Sequence, residues 1–319
     1  IFTVIATAFL LFGCGSEKET NDGRKIVNIG HVGPLTGPIS HLGKDNERGA
    51  SLAVDEANQL AIVIDDQPIE FRLISQDDEA NPQKATVVAQ KLVDSAVVGV
   101  VGHLNSGTTI PASTIYYDSN VPQVSPSATA IDYTHQGYET AFRVMANDEQ
   151  QGQVLGDYAV KTVEARNIAI IDDRSAYGKG LADEFERAVI KAGGNILTRE
   201  FTDITKTDFT AILTTIKGLK PDLIFYGGMD SQAGPMMKQI KNLALAVEFL
   251  AGDGVQTKQF MVLSGAEGEG AYASSPGLPL DQMAGGKEFR EKFKQVYRED
   301  IQLLSLIHIS EPTLSLIHI

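Results

Sequence analysis

The chain has 319 residues, 43% hydrophobic and 21% charged, a size and balance that suit a globular protein of two domains. Its formal net charge of −14 leaves no basic stripe to neutralise phosphates, which excludes a nucleic-acid partner from the expectation. The one cysteine, Cys14, rules out a disulfide within the chain and a Cys-rich zinc site. His31, His41, His103 and His135 lack metal-ligand spacing, so each is expected on a loop or the surface, and neither a metal nor a cofactor is expected.

Residues 1–12, IFTVIATAFLLF, form an apolar run too short to span a bilayer and of the length of a signal-peptide core. The run ends at Gly13-Cys14 and gives way to a polar linker, which resembles a bacterial lipoprotein signal with Cys14 as the lipidated N-terminus. Lipid on that residue would anchor the protein to a membrane without a transmembrane helix.

The folded body is expected to begin at residue 25. Short β-branched and apolar runs predict strands at 26–32, 69–75, 97–101 and 121–125. Helical spacing predicts helices at 43–58, at 108–119 and behind Asn81-Pro82, where Asn caps and Pro takes the first helical position. The order β-α-β-α-β-α-β is that of a parallel sheet covered by helices. Near 141–147 the pattern restarts, with helices at 148–163, 177–192, 208–218 and after Gly227-Gly228, and strands at 167–171, 196–201, 222–226 and 247–250. The fold class is therefore α/β, two Rossmann-like lobes with a cleft between them.

Two loops in the first unit invite a ligand. Residues 102–109 place Ser106 and free backbone N–H groups at a helix N-terminus, where helix dipole and donors favour a carboxylate or phosphate. Residues 126–130, with Ser127, Ala128 and Thr129, end the next strand, and ligands of open α/β sheets bind outside such carboxyl ends. The same residue types also serve as ordinary caps and turns.

Taken in order, these motifs resemble the type I periplasmic binding proteins of ABC transporters, specifically the leucine/isoleucine/valine (branched-chain amino acid) receptors. The resemblance covers residues 25–300. It rests on Gly33-Pro34-Leu35-Thr36-Gly37-Pro38, Gly102-His103-Leu104-Asn105-Ser106, Ser125-Pro126-Ser127-Ala128-Thr129-Ala130, Tyr177-Gly178-Lys179-Gly180, Phe225-Tyr226-Gly227-Gly228 and Gly252-Asp253-Gly254-Val255.

What the resemblance implies is a free amino acid held between the lobes. Ser106 and Thr129 would meet its carboxylate, Ser127 and Ala128 would offer backbone contacts, and Tyr177 would close over it. Asp253 would meet the ammonium, where these receptors tend to carry Glu. Leu42 and Met229 fall at side-chain-pocket positions that the family often fills with aromatics. The hinges are expected near 141–147 and 274–277. The implied role is a substrate-binding lipoprotein of the cell envelope, extracytoplasmic and lipid-anchored, that hands its ligand to ABC permease subunits.

Toward the C-terminus, residues 287–300 read as a helix returning to the first lobe. The hexapeptide Leu304-Ser305-Leu306-Ile307-His308-Ile309 then recurs letter for letter at 314–319, which is read as a non-native tail on a truncated chain. The expected division is 1–24 for the partial signal and linker, 25–143 for lobe 1, 144–275 for lobe 2, 276–302 for an incomplete return and 303–319 for the tail. An enzyme is not expected. Gly30-His31-Val32-Gly33-Pro34 is no dinucleotide fingerprint, and Gly-x-Ser-x-Gly is missing. A ligand-binding sensor for an amino acid, amide or other small molecule would share the same cleft.

Overall fold

The computed structural model describes residues 23–302, so the lipoprotein-like stretch with Cys14 and the repeated tail lie outside the described residues. Two sheets organise what is described. The first contains β1 (Lys25–Gly33), β2 (Val63–Ile64), β3 (Gln67–Asp77), β4 (Val97–Gly102), β5 (Gln123–Ser125) and β6 (Ala141–Arg143), in the order β2-β3-β1-β4-β5-β6. Its strands run parallel except for the short antiparallel pair β2/β3. The second contains β7 (Asn167–Asp172), β8 (Asn195–Phe201), β9 (Leu223–Gly227), β10 (Glu248–Ala251) and β11 (Ala271–Ala273), all parallel, in the order β11-β10-β9-β7-β8.

In each sheet the chain first moves to one side of its opening strand and then returns to the other. The direction therefore reverses between β1 and β4, and again between β7 and β9. At such a switch point the loops leaving the strand ends part and open a crevice.

The connecting helices are α1 (Ser40–Gln59), α2 (Pro82–Asp94), α3 (Ser106–Asp118), α4 (Ile131–His135), α5 (Asp148–Lys161), α6 (Ala176–Lys191), α7 (Thr210–Leu219), α8 (Asp230–Asn242), α9 (Lys258–Ser264) and α10 (Gly286–Tyr297). Their starts follow local chemistry. The Asn81 side chain accepts from the Lys84 N–H, Ser175 from Gly178, and Asn147 forms a reciprocal capping box with Gln150.

Strand alternation builds the core of the second lobe. Along β7, Ile168 and Ile170 face one apolar cluster while Ala169 and Ile171 face the other, and β9 does the same with Leu223 and Phe225 against Ile224 and Tyr226. A strand buried on both faces reads as a continuous apolar run, which is why these two were plain in the sequence. Between α5 and α6 the helices come so close that a Cβ on Gly156 would lie 2.5 Å from Ala188 Cβ. α10 returns to the first lobe, where Phe289 and Phe293 bury against Leu52 of α1.

The two crossings between the sheets are bonded to each other. The Ala146 N–H donates to Pro276 O at 2.9 Å, and Ser274 Oγ donates to Gln151 Oε1 at 2.7 Å. Among the described residues no helix is long and apolar enough to cross a membrane.

Phe185 stacks on Phe225 with ring centroids 3.9 Å apart and is fully buried. Phe185→Ala should cost roughly 3–5 kcal/mol in urea unfolding, by lost transfer energy and the cavity left behind. A loss below about 1 kcal/mol would contradict this packing.

Candidate functional site

The first wall is built by the ends of β4 and β5. Asn105 precedes α3 in an extended conformation and its carbonyl accepts from the Thr108 and Thr109 N–H groups, so Ser106 opens the helix with its hydroxyl buried at the N-terminus. Ser106 Oγ accepts from the Ala130 N–H at 3.2 Å, and Ser127 Oγ donates to Leu104 O at 2.9 Å. The two hydroxyl loops are thus pinned to each other. Arg143 fastens the second from behind, donating to Ala128 O at 3.2 Å and Ala130 O at 2.8 Å.

Beneath these loops lies a buried histidine cluster, and here the structure corrects the sequence reading. His31 was expected on a loop or the surface yet lies fully buried within β1, and His103, on the loop after β4 as expected, is fully buried too. Burial is tolerable for His103 because Nδ1 lies 2.8 Å from Asp78 Oδ2 and Nε2 3.1 Å from the Tyr116 hydroxyl. Its carbonyl accepts from Thr109 Oγ1 and Ser125 Oγ, so the ring supports the backbone from which α3 springs. His31 has no hydrogen-bond partner at either ring nitrogen, and burial, assisted by His103, pushes its pKa down to about 3. It is a neutral spacer in the sheet.

The second wall comes from the ends of β7, β9 and β10. Tyr177, in the first turn of α6, donates its hydroxyl to Asp253 Oδ1 at 2.8 Å and accepts from the Gly254 N–H at 3.0 Å. Asp253 follows β10 at the start of a short 3-10 turn, and burial raises its carboxyl above the usual carboxylate range. A Cβ on Gly254 would meet Met229 Sδ at 2.6 Å, so glycine is what lets this turn approach the methionine.

Between the walls lies one small space. Leu42, Ser106, Ser127, Tyr177, Met229 and Asp253 are brought together around it. Ala128 and Thr129 are buried in the same loop as Ser127 but stand outside the wall. Leu104, Asn105 and Gly254 join the lining without having been singled out as site residues. Leu42 and Leu104 also belong to an apolar cluster on which Met229 packs from the other lobe.

One acid was passed over. Asp148, the first residue of α5, was read only as a helix start, and it is almost fully buried. Neither of its oxygens nor the Thr129 hydroxyl beside them makes a hydrogen bond of normal geometry. Burial first, and the negative charge of Asp253 second, push its carboxyl up to about 8. Gln151, one turn along α5, sets its side chain beside Asp253. The site therefore has hydroxyls and a helix N-terminus at one pole, the Tyr177–Asp253 pair at the other and aliphatic side chains between, while Asp148 lies outside the lining, against the Thr129 loop. Among the described residues no group of three or more His, Cys, Asp or Glu is placed to hold a metal ion.

Several known proteins are similar to this chain. The model of the periplasmic binding protein family matches residues 26–309. An amino acid binding protein of Pseudomonas aeruginosa is 34% identical over 240 residues, 75% of this chain and 63% of its own length. The chain thus spans less than two thirds of that relative. The Leu/Ile/Val-binding protein homolog 1 of Brucella abortus is 33% identical over 292 residues, 91% of this chain and 76% of the relative. Among solved structures, the branched-chain amino acid transporter substrate binding protein LivJ of Streptococcus pneumoniae, in complex with isoleucine, superposes with a TM-score of 0.81. It is 27% identical and covers 89% of this chain and 81% of its own. The chain belongs to the periplasmic binding protein family.

Proposed function

We propose that this chain is the substrate-binding subunit of an ABC transporter and captures a branched-chain or related amino acid between its lobes. The observation that carries the reading is the opposition, across one small space, of Ser106 at a helix N-terminus and the Tyr177–Asp253 pair. A zwitterion leaving water must have both its charges met, and these two poles match a carboxylate and an ammonium. On this reading Ser106 takes the carboxylate with Ser127 beside it, while Ala128 and Thr129 hold that loop from outside the lining. Asp253, oriented by Tyr177, takes the ammonium, and Leu42 and Met229 shape the side-chain pocket. Relatives named for leucine, isoleucine and valine, and the isoleucine complex, support the ligand class. Delivery to a permease, an extracytoplasmic location and a lipid anchor at Cys14 belong to the same proposal.

Calorimetry with leucine, isoleucine and valine should show binding to the chain, and Asp253→Ala should weaken it by roughly 2–5 kcal/mol by leaving the ammonium without its counter-charge. Unchanged affinity in the variant would remove Asp253 from the site.

The buried Asp148 also predicts a pH dependence. Asp148 holds its proton to about pH 8 in the folded chain, whereas an unfolded aspartate releases it near pH 4. Between those values the native state binds more protons than the unfolded one. The contribution to stability is therefore complete below about pH 4 and is lost as pH rises toward 8. Urea unfolding of the ligand-free protein at pH 5 and pH 8 should show this decline, and Asp148→Asn should flatten it. Equal slopes in both proteins would count against a buried, protonated Asp148.

A further inference from the structure

His41 and Asp230 meet across the rim of the cleft. His41, in the first turn of α1, places Nε2 at 2.7 Å from Oδ2 of Asp230, the first residue of α8. The two are 189 residues apart and belong to different lobes. Asp230 is fully buried, and Thr257 Oγ1 donates to the same oxygen at 2.5 Å, so the carboxylate is fixed before His41 reaches it. The His41 side chain keeps 22% of its surface exposed and stands at the edge of solvent. Neither residue lines the cavity, but each adjoins in sequence an apolar side chain that does, Leu42 on one wall and Met229 on the other. A second contact, Lys258 Nζ to Asp300 Oδ2 at 2.8 Å, joins α9, one residue beyond Thr257, to the segment after α10.

We propose that His41 and Asp230 form an interlobe latch that fixes how long the cleft stays closed, acting as positioning residues without touching the ligand. The inference rests on the reading of the cleft as a ligand site. Separation of the lobes breaks the pair while leaving Asp230 with Thr257, so the bond contributes only to the closed form. An interaction made in one of two states shifts the equilibrium between them by its full differential strength. Because it forms after the ligand has entered, it acts on release rather than on encounter. It also acts equally on every ligand, which separates it from Leu42 and Met229, whose replacement would change the preference among ligands.

The test measures association and release of labelled leucine, isoleucine and valine for the whole chain and for His41→Ala. Melting curves of the ligand-free proteins accompany it. The latch predicts release faster by about tenfold for all three amino acids, association within about twofold, and an unchanged ligand-free melting temperature. Asp230→Asn combined with His41→Ala should add little to either single change. Unchanged release, a different factor for each amino acid, or an equal loss of ligand-free stability would overturn it. If the chain binds none of the three amino acids, the ligand assignment and the latch that rests on it are both overturned, whereas binding with unchanged release overturns the latch alone.

Discussion

The hydrogen bond from Tyr177 to Asp253 is the contact on which the second pole of the site depends. A buried carboxylate is costly unless its lone pairs are met, and here a phenol from α6 meets one of them at 2.8 Å. The phenol oxygen in turn receives the Gly254 N–H, so the turn after β10 and the start of α6 form one unit. The acid is set at a fixed point opposite Ser106, and the rest of the chain serves to bring those two points together.

That juxtaposition follows from topology. Both sheets reverse direction after their opening strand, so each offers its crevice at the carboxyl ends of its strands. The walls come from β4 and β5 on one side and from β7, β9 and β10 on the other. The crossings that join the lobes are short and hydrogen-bonded to one another at Ala146 and Pro276. Gln151 links that junction to the acid pole, bonded to Ser274 on one side and lying beside Asp253 on the other. The junction between the lobes is thereby narrow and lies next to the site.

Much of the fold could be read from residue patterns, because strands such as 167–171 and 222–226 are apolar on both faces and helices such as α2 carry explicit caps. Short elements escaped. β11 has three residues, Ala-Tyr-Ala, with no periodicity to betray a strand, and β6 lay in a stretch read as a restart and hinge. Helix α3 begins two residues earlier than expected because Asn105 turns the chain in extended geometry. The hydroxyl loops were visible locally, whereas Tyr177 and Asp253 were reached through family resemblance, since nothing in their neighbours distinguishes them from helix and turn residues. The surroundings of His103 and Asp148 were hidden for one reason: they come from elements distant in sequence, Asp78 and Tyr116 for the first and α6 for the second, where a Cβ on Gly180 would lie 3.2 Å from Asp148 Oδ2.

The central claim is that one amino acid is held by its carboxylate on the first lobe and by its ammonium on the second. A crystal structure of the protein grown with leucine tests this most directly. The account predicts the leucine carboxylate within hydrogen-bond distance of Ser106, its ammonium on Asp253, and its side chain against Leu42 and Met229. Leucine bound in the reverse orientation, or outside the space between the lobes, would contradict it.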